Sequence, residues 1–152
     1  MEPQHESVDF VIHSRKAMES AAMPDVPFVV VSITTSPFDE ARIPPSAHCL
    51  GVLRLAFFDS DLSAEEDGPE GLFSRDDARQ IWRFILPLRT KLRCIVLHCS
   101  AGLSRSPGVA AALSNVLCGD DQAFFARFRP NRRVYALLID VFSREFSLSP
   151  AC

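Results

Sequence analysis

The chain lacks any apolar stretch near the roughly 20 residues that a membrane-spanning helix requires, so no membrane association is expected. It also lacks an excess of positive charge. Lys+Arg 16 against Asp+Glu 19 leaves a formal net charge of −3, which argues against a nucleic-acid partner. Its five cysteines (Cys49, Cys94, Cys99, Cys118 and Cys152) are odd in number and irregularly spaced. They form neither a zinc-ligand pattern nor a disulfide framework, so a reducing, cytoplasmic setting is expected. The opening residues Met1-Glu2-Pro3-Gln4-His5-Glu6 are polar and acidic and do not read as a secretory signal. Internal repeats and low-complexity segments are absent. What is present, 152 residues with 47% hydrophobic content, suffices for one good core. A single monomeric domain over 1–152 is the expectation.

Apolar patterning alternates between strand and helix. Val8–His13 reads as a short strand, with Ser14 placed to cap a helix through Ala22. Pro27–Ile33 is the β-branched run of a buried strand. Thr34–Ala47, rich in Pro and Ser, reads as loop, and Gly51–Phe57 as another strand. Asp59–Gly71 is an acidic loop. Ser74, followed by Asp76 and Asp77, opens a helix to about Leu88. Cys94–His98 is a further strand and Ser106–Leu117 a small-residue helix. Asp120–Phe128 and Arg132–Phe146 look helical, separated at Pro130-Asn131. Strands joined by helices predict an α/β fold. It has three layers, α/β/α, around a central, mostly parallel sheet of four to five strands, with ligands outside the carboxyl ends of the strands.

One such end carries the most informative stretch, His98-Cys99-Ser100-Ala101-Gly102-Leu103-Ser104-Arg105-Ser106. A strand feeds a tight loop, and the loop feeds the start of a helix. Helix N-terminal amides have no intrahelical partner and sit at the positive end of the dipole. The amides of Ser100, Ala101, Gly102, Leu103, Ser104 and Arg105 can therefore wrap a phosphate- or sulfate-like anion. When the loop is empty they stabilise a thiolate at Cys99, the attacking species of a nucleophilic cysteine. Gly102 supplies backbone freedom in mid-loop. Arg105 offers a planar fork for two phosphoryl oxygens. Ser106 is placed to hydrogen-bond the sulfur as it leaves a phosphoenzyme. His98 is expected to orient the loop and help hold the thiolate, not to act as a general base. The loop and Arg105 supply the charge stabilisation, so no cofactor and no metal are expected.

The pattern His-Cys-x-x-Gly-x-x-Arg-Ser resembles the signature of the cysteine-dependent protein tyrosine phosphatase superfamily, nearest to its compact dual-specificity branch. The resemblance implies hydrolysis of phosphomonoesters through a phosphocysteine, phosphotyrosine in proteins first, with phosphoserine and phosphothreonine as further substrates. It also implies an aspartic acid on an upstream loop that protonates the leaving oxygen and later activates water. Phe57-Phe58-Asp59-Ser60-Asp61 ends the Gly51–Phe57 strand and offers two candidates. Asp59 matches best by its distance after the strand, behind two aromatic residues, and Asp61 is the rival. The Trp-Pro-Asp form of this loop is absent, as is an insert long enough to serve as a phosphotyrosine-depth loop.

Two charged features bear on substrate. Asp59 to Glu70 carries six carboxylates in twelve residues, which would repel polyanions if the loop flanks the pocket. The variable positions of the cysteine loop, Ser100, Ala101, Leu103 and Ser104, are uncharged, and the expected partner is a phosphorylated protein in preference to a phosphoinositide or RNA. Arg127, Arg129, Arg132 and Arg133 either steer phosphorylated substrates or form a solvated helix junction. Cys49 and Cys94 are candidates for a reversible disulfide with Cys99, against the reading of both as buried structural thiols. Two other classes keep the loop: a non-catalytic phosphate-binding module, and another cysteine-loop enzyme such as a sulfurtransferase or arsenate reductase.

Overall fold

The computed structural model describes residues 7–65 and 68–146. Met1 to Glu6, Glu66 and Asp67 of the acidic run, and Cys152 lie outside the described residues. Four strands are present: β1 (Asp9–Ser14), β2 (Phe28–Thr34), β3 (Cys49–Ala56) and β4 (Cys94–Cys99). They form one sheet in the order β1-β4-β2-β3, every pair parallel. The helices are α1 (Arg15–Ser20), α2 (Arg75–Ile85, running into a 3-10 turn at Leu86–Leu88), α3 (Arg105–Cys118), α4 (Gln122–Arg127) and α5 (Arg132–Val141). A π-helical turn, Phe142–Phe146, closes the described chain.

The register brings the carboxyl ends together: Ser14 lies opposite Cys99, His98 lies between His13 and Ser32, and Thr34 lies opposite Ala56. β2 and β4, in the middle, are buried at every position. That matches their continuous apolar runs, since a parallel strand covered on both faces needs no alternation. β3, at the edge, alternates and leaves Leu50 and Val52 exposed.

The two faces are covered unequally. On one, Val29, Val31, Ile33, Leu55, Ile95 and Leu97 pack against α2, α3 and α5 through Trp82, Leu113 and Leu138. The other rests on Met18 of the six-residue α1, with Phe28, Val30, Cys94 and Val96. The expected three layers are therefore present, with a thin third layer. α2 begins as the sequence suggests: the Ser74 hydroxyl accepts from the Asp77 amide (3.1 Å) and the Asp77 carboxylate from the Ser74 amide (2.9 Å). Its buried residues Ala78, Ile81, Trp82 and Ile85 follow the helical spacing, and the Trp82 indole donates to the Leu138 carbonyl at 2.9 Å, tying α2 to α5.

Some boundaries differ from the pattern. Ser14 both ends β1 and caps α1, accepting from the Ala17 amide at 3.1 Å, and α1 stops at Ser20, short of the expected Ala22. α4 is six residues with none buried, shorter than the expected Asp120–Phe128. α3 is buried from Arg105 to Ser114, and its small residues let other elements approach closely. A Cβ on Gly108 would stand 3.0 Å from the Asn131 carbonyl, so glycine there lets the start of α5 lie directly against α3.

Candidate active site

Cys99 is the last residue of β4 and is 2% exposed. The Ser106 hydroxyl, in the first turn of α3, donates to its sulfur at 3.2 Å, and Ser106 is itself fully buried. Between them the loop is fastened from outside through its carbonyls. The Arg15 amide donates to Ser100 O (3.1 Å), the Arg129 amide to Leu103 O (3.0 Å) and the Asn131 amide to Ser104 O (2.9 Å). Gly102 takes φ +72, and a Cβ there would stand 2.9 Å from the carbonyl of His13. Both the left-handed backbone and the close approach to β1 demand glycine. Ser100, Ala101 and Leu103 are exposed at the mouth, and Ser104 is half-buried.

Arg105 is buried and its guanidinium is held on three sides. One terminal nitrogen donates to the Phe57 carbonyl (2.8 Å) and the Thr35 hydroxyl (3.1 Å), and the other to the Ser100 hydroxyl (2.8 Å). Phe57 stands two residues before Asp59, so the arginine joins the nucleophile loop to the strand that delivers the candidate acids. The Phe57 ring itself packs edge-on against Phe73 in the core, and Phe58 lies over Gly71.

His98 is fully buried beside Cys99 on β4. Its Nε2 shares a 2.6 Å hydrogen bond with the Ser32 hydroxyl of β2, and Nδ1 faces the Cys99 carbonyl at 3.5 Å. Burial pushes the imidazole below its ordinary value, so the ring is neutral at pH 7. Its polar contacts run to the neighbouring strand and to backbone.

The two aspartates occupy different places. Asp59 Oδ1 accepts from the Ser104 hydroxyl (2.8 Å) and from the Asn131 side-chain amide (2.8 Å). Both bonds fall on one oxygen, leaving Oδ2 without a partner among the described residues. Asp61 instead accepts from the Arg132 amide at the start of α5, at 3.2 Å. Only Asp59 thus has a side-chain bond to the nucleophile loop.

Two residues of this apparatus were not read from the pattern. Asn131 is 1% exposed and caps α5, its Oδ1 accepting from the Val134 amide at 3.0 Å while Nδ2 also donates to Ser60 O at 2.9 Å. Arg133 is buried and donates to the carbonyls of Phe73 (2.9 Å), Ser63 (2.8 Å) and Leu62 (3.4 Å). Arg133 therefore braces the acidic loop from beneath, and its reading as a substrate-steering or solvated arginine is corrected. Arg129 and Arg132 do line an open groove with Asp61, Phe125 and Phe128, whereas Arg127 faces a separate groove beside β1.

A redox partner for Cys99 is not in place. Cys94 opens β4 at the end opposite Cys99, and Cys49 opens β3, so neither reaches disulfide range without rebuilding the sheet. Burial and Asp9 push the Cys94 thiol up to about 11, the state of an inert structural cysteine. Among the described residues no cluster of three or more His, Cys, Asp or Glu is arranged to hold a metal ion. No helix among them is long and apolar enough to cross a membrane.

No protein-family profile matches the chain, and no curated protein matches it in sequence. Solved structures do. The human tyrosine phosphatase-like serine/threonine/tyrosine-interacting protein aligns over 88% of this chain and 91% of its own, with TM-score 0.60 and 15% identity. Human DUSP28 aligns over the same 88% and 91%, with TM-score 0.58 and 19% identity. PTPMT1, solved in complex with PI(5)P, aligns over 89% and 90%, with TM-score 0.53 and 13% identity. The chain has the fold of the tyrosine and dual-specificity phosphatases, a parallel four-stranded sheet flanked by helices.

Proposed function

We propose that this chain is a phosphomonoester hydrolase acting through a phosphocysteine, with phosphorylated proteins as substrates. The observation that carries the reading is the convergence of Cys99, Ser106, Arg105 and Asp59 on one loop at the carboxyl end of the sheet. Cys99 has its hydroxyl donor at 3.2 Å, and Asp59 is bonded to Ser104 of the same loop at 2.8 Å.

In this mechanism the amides of Ser100 to Arg105 receive the phosphoryl oxygens. Arg105, braced on Phe57 and Thr35, offers its fork to two of them. The Cys99 thiolate attacks phosphorus in line. The bond to the leaving oxygen breaks, and Asp59 gives that oxygen its proton. Water then attacks the phosphocysteine and passes a proton to the Asp59 carboxylate. The sulfur–phosphorus bond breaks, and the returning thiolate accepts the Ser106 hydrogen bond. Asp61, tied to α5, supports the loop in this scheme. His98 orients Cys99 through Ser32 and backbone.

Uncharged Ser100, Ala101, Leu103 and Ser104 favour a phosphoprotein over a polyanionic lipid or RNA, and Arg129 and Arg132 stand where they would steer it. The whole chain serves as one catalytic domain, a cytoplasmic monomer in this reading. A binding-only role is the second reading, favoured by the structural likeness to a protein named for interaction. Release of inorganic phosphate from phosphopeptides by wild type, abolished in Cys99→Ser while phosphopeptide binding persists, supports the hydrolase. Binding without any release by wild type supports the module.

A further inference from the structure

Phe38 is 95% exposed, far more than any other large apolar side chain of the described chain. A lone exposed phenylalanine usually marks a loose loop; this one sits on a braced turn. The Asp39 amide donates to Ser36 O (3.2 Å), the Phe38 amide to the Ser36 hydroxyl (3.2 Å), and the Thr34 hydroxyl to Ser36 O (2.9 Å). Pro37 fixes φ at the first corner.

The turn is fastened to both ends of the nucleophile loop. Arg15, whose amide holds Ser100 O at the loop's start, grips the Asp39 carboxylate with both terminal nitrogens (2.8 and 3.0 Å) and the Glu40 carbonyl (3.0 Å). Thr35, at the foot of the turn, receives Arg105 from the loop's end. Arg54 completes the clamp, with an ion pair to Glu40 (3.6 Å) and a bond to Ala41 O (3.0 Å). These partners also offset the charges of Asp39 and Glu40, which would otherwise oppose an approaching phosphate dianion. An aromatic ring held in water by such a scaffold, beside an anion-binding loop, fits a ring on the ligand.

Resting on the phosphatase reading above, we propose that Phe38 is a specificity-determining residue. Its ring packs against the aromatic leaving group of the substrate, so that the site prefers phosphotyrosine to phosphoserine and phosphothreonine in a peptide.

The test compares phosphotyrosyl and phosphothreonyl peptides of identical flanking sequence on wild type, Phe38→Ala and Phe38→Trp. Turnover is measured directly, and binding is measured by calorimetry in the Cys99→Ser background. Phe38→Ala should lose about three- to tenfold in kcat/KM for the phosphotyrosyl peptide, chiefly through KM. It should leave the phosphothreonyl value and the melting temperature unchanged, and Phe38→Trp should restore the preference. Binding in the Cys99→Ser background should show the same selective loss. Equal loss on both peptides, or no loss on the phosphotyrosyl peptide, overturns the proposal. If wild type turns over neither peptide yet binding shows the selective loss, the hydrolase reading fails and the role of Phe38 stands.

Discussion

The side-chain amide of Asn131 donates to Oδ1 of Asp59 at 2.8 Å across a sequence separation of 72 residues. The same asparagine caps α5 through its oxygen. One residue therefore couples the start of the last helix to the orientation of the candidate acid, and Gly108 lets it come close enough to do so.

Replacing Asn131 separates these duties. Asn131→Ser keeps a capping oxygen but loses the amide that holds Asp59, whereas Asn131→Ala loses both. A lost cap costs about 1 kcal/mol, or about 2–4 °C in melting temperature for a chain of this size. The melting temperature should fall further in Asn131→Ala than in Asn131→Ser, while kcat falls about tenfold in both. Wild-type kcat in Asn131→Ser would show that Asp59 is oriented without this bond.

The two aspartates should separate by kinetics. Asp59→Asn removes the group bonded to the nucleophile loop and should lower kcat on phosphotyrosyl peptides about 100-fold with little change in KM. Asp61→Asn removes an acceptor for the Arg132 amide and should change kcat only a few-fold. The pH profile of kcat is the second readout, because the limb assigned to the general acid should vanish in Asp59→Asn alone. The reverse pattern would move the acid to Asp61.

The contrast between these aspartates also shows what the sequence can carry. Cys99, Gly102, Arg105 and Ser106 were legible because their roles depend on neighbours within one loop and on a strand-to-helix context visible in the apolar pattern. The parallel sheet was legible from the same alternation, and the structure matches it with four strands. Asp59 and Asp61 were not separable, since Ser104 and Asn131 make the difference from far along the chain. Arg133 was misread because its three carbonyl partners come from the distant acidic loop. Basic Arg132 and Arg133 in the first turn of a helix, against the dipole, were a usable cue that something other than helix electrostatics places them there. The Thr35 contact with Arg105 spans 70 residues and leaves no local trace.

Ser106 should act in the second half of the reaction. Its hydroxyl lies 3.2 Å from the Cys99 sulfur, and both residues are buried, so water does not replace it readily. A hydrogen bond to a charged partner is worth about 1.5–3 kcal/mol, or about 10- to 100-fold in rate. Ser106→Ala should keep the first, burst turnover within about threefold of wild type and lower steady-state kcat at least tenfold. A burst lost in proportion to kcat would place Ser106 in the first step instead.

His98 makes the last prediction, one of stability against pH. Burial holds its imidazole below the ordinary 6.5, so below that pH the unfolded chain takes up a proton that the native ring does not. The unfolded state then binds more protons, and stability falls as pH drops from about 6.5 toward 5. The contribution is fully present above 6.5. His13 is also held low by burial and acts with the same sign, so two groups share the slope. Asp39, held below the usual carboxylate range by Arg15, titrates at lower pH and leaves this window alone. Melting temperatures across pH 5–8 should therefore fall on the acid side in wild type, and less steeply in His98→Gln, whose amide can still meet Ser32. An identical slope in His98→Gln would assign the effect to His13. A shallower slope confirms an imidazole that stays neutral beside Cys99, and the burden of stabilising negative charge at the sulfur then falls on Ser106, Arg105 and the loop amides.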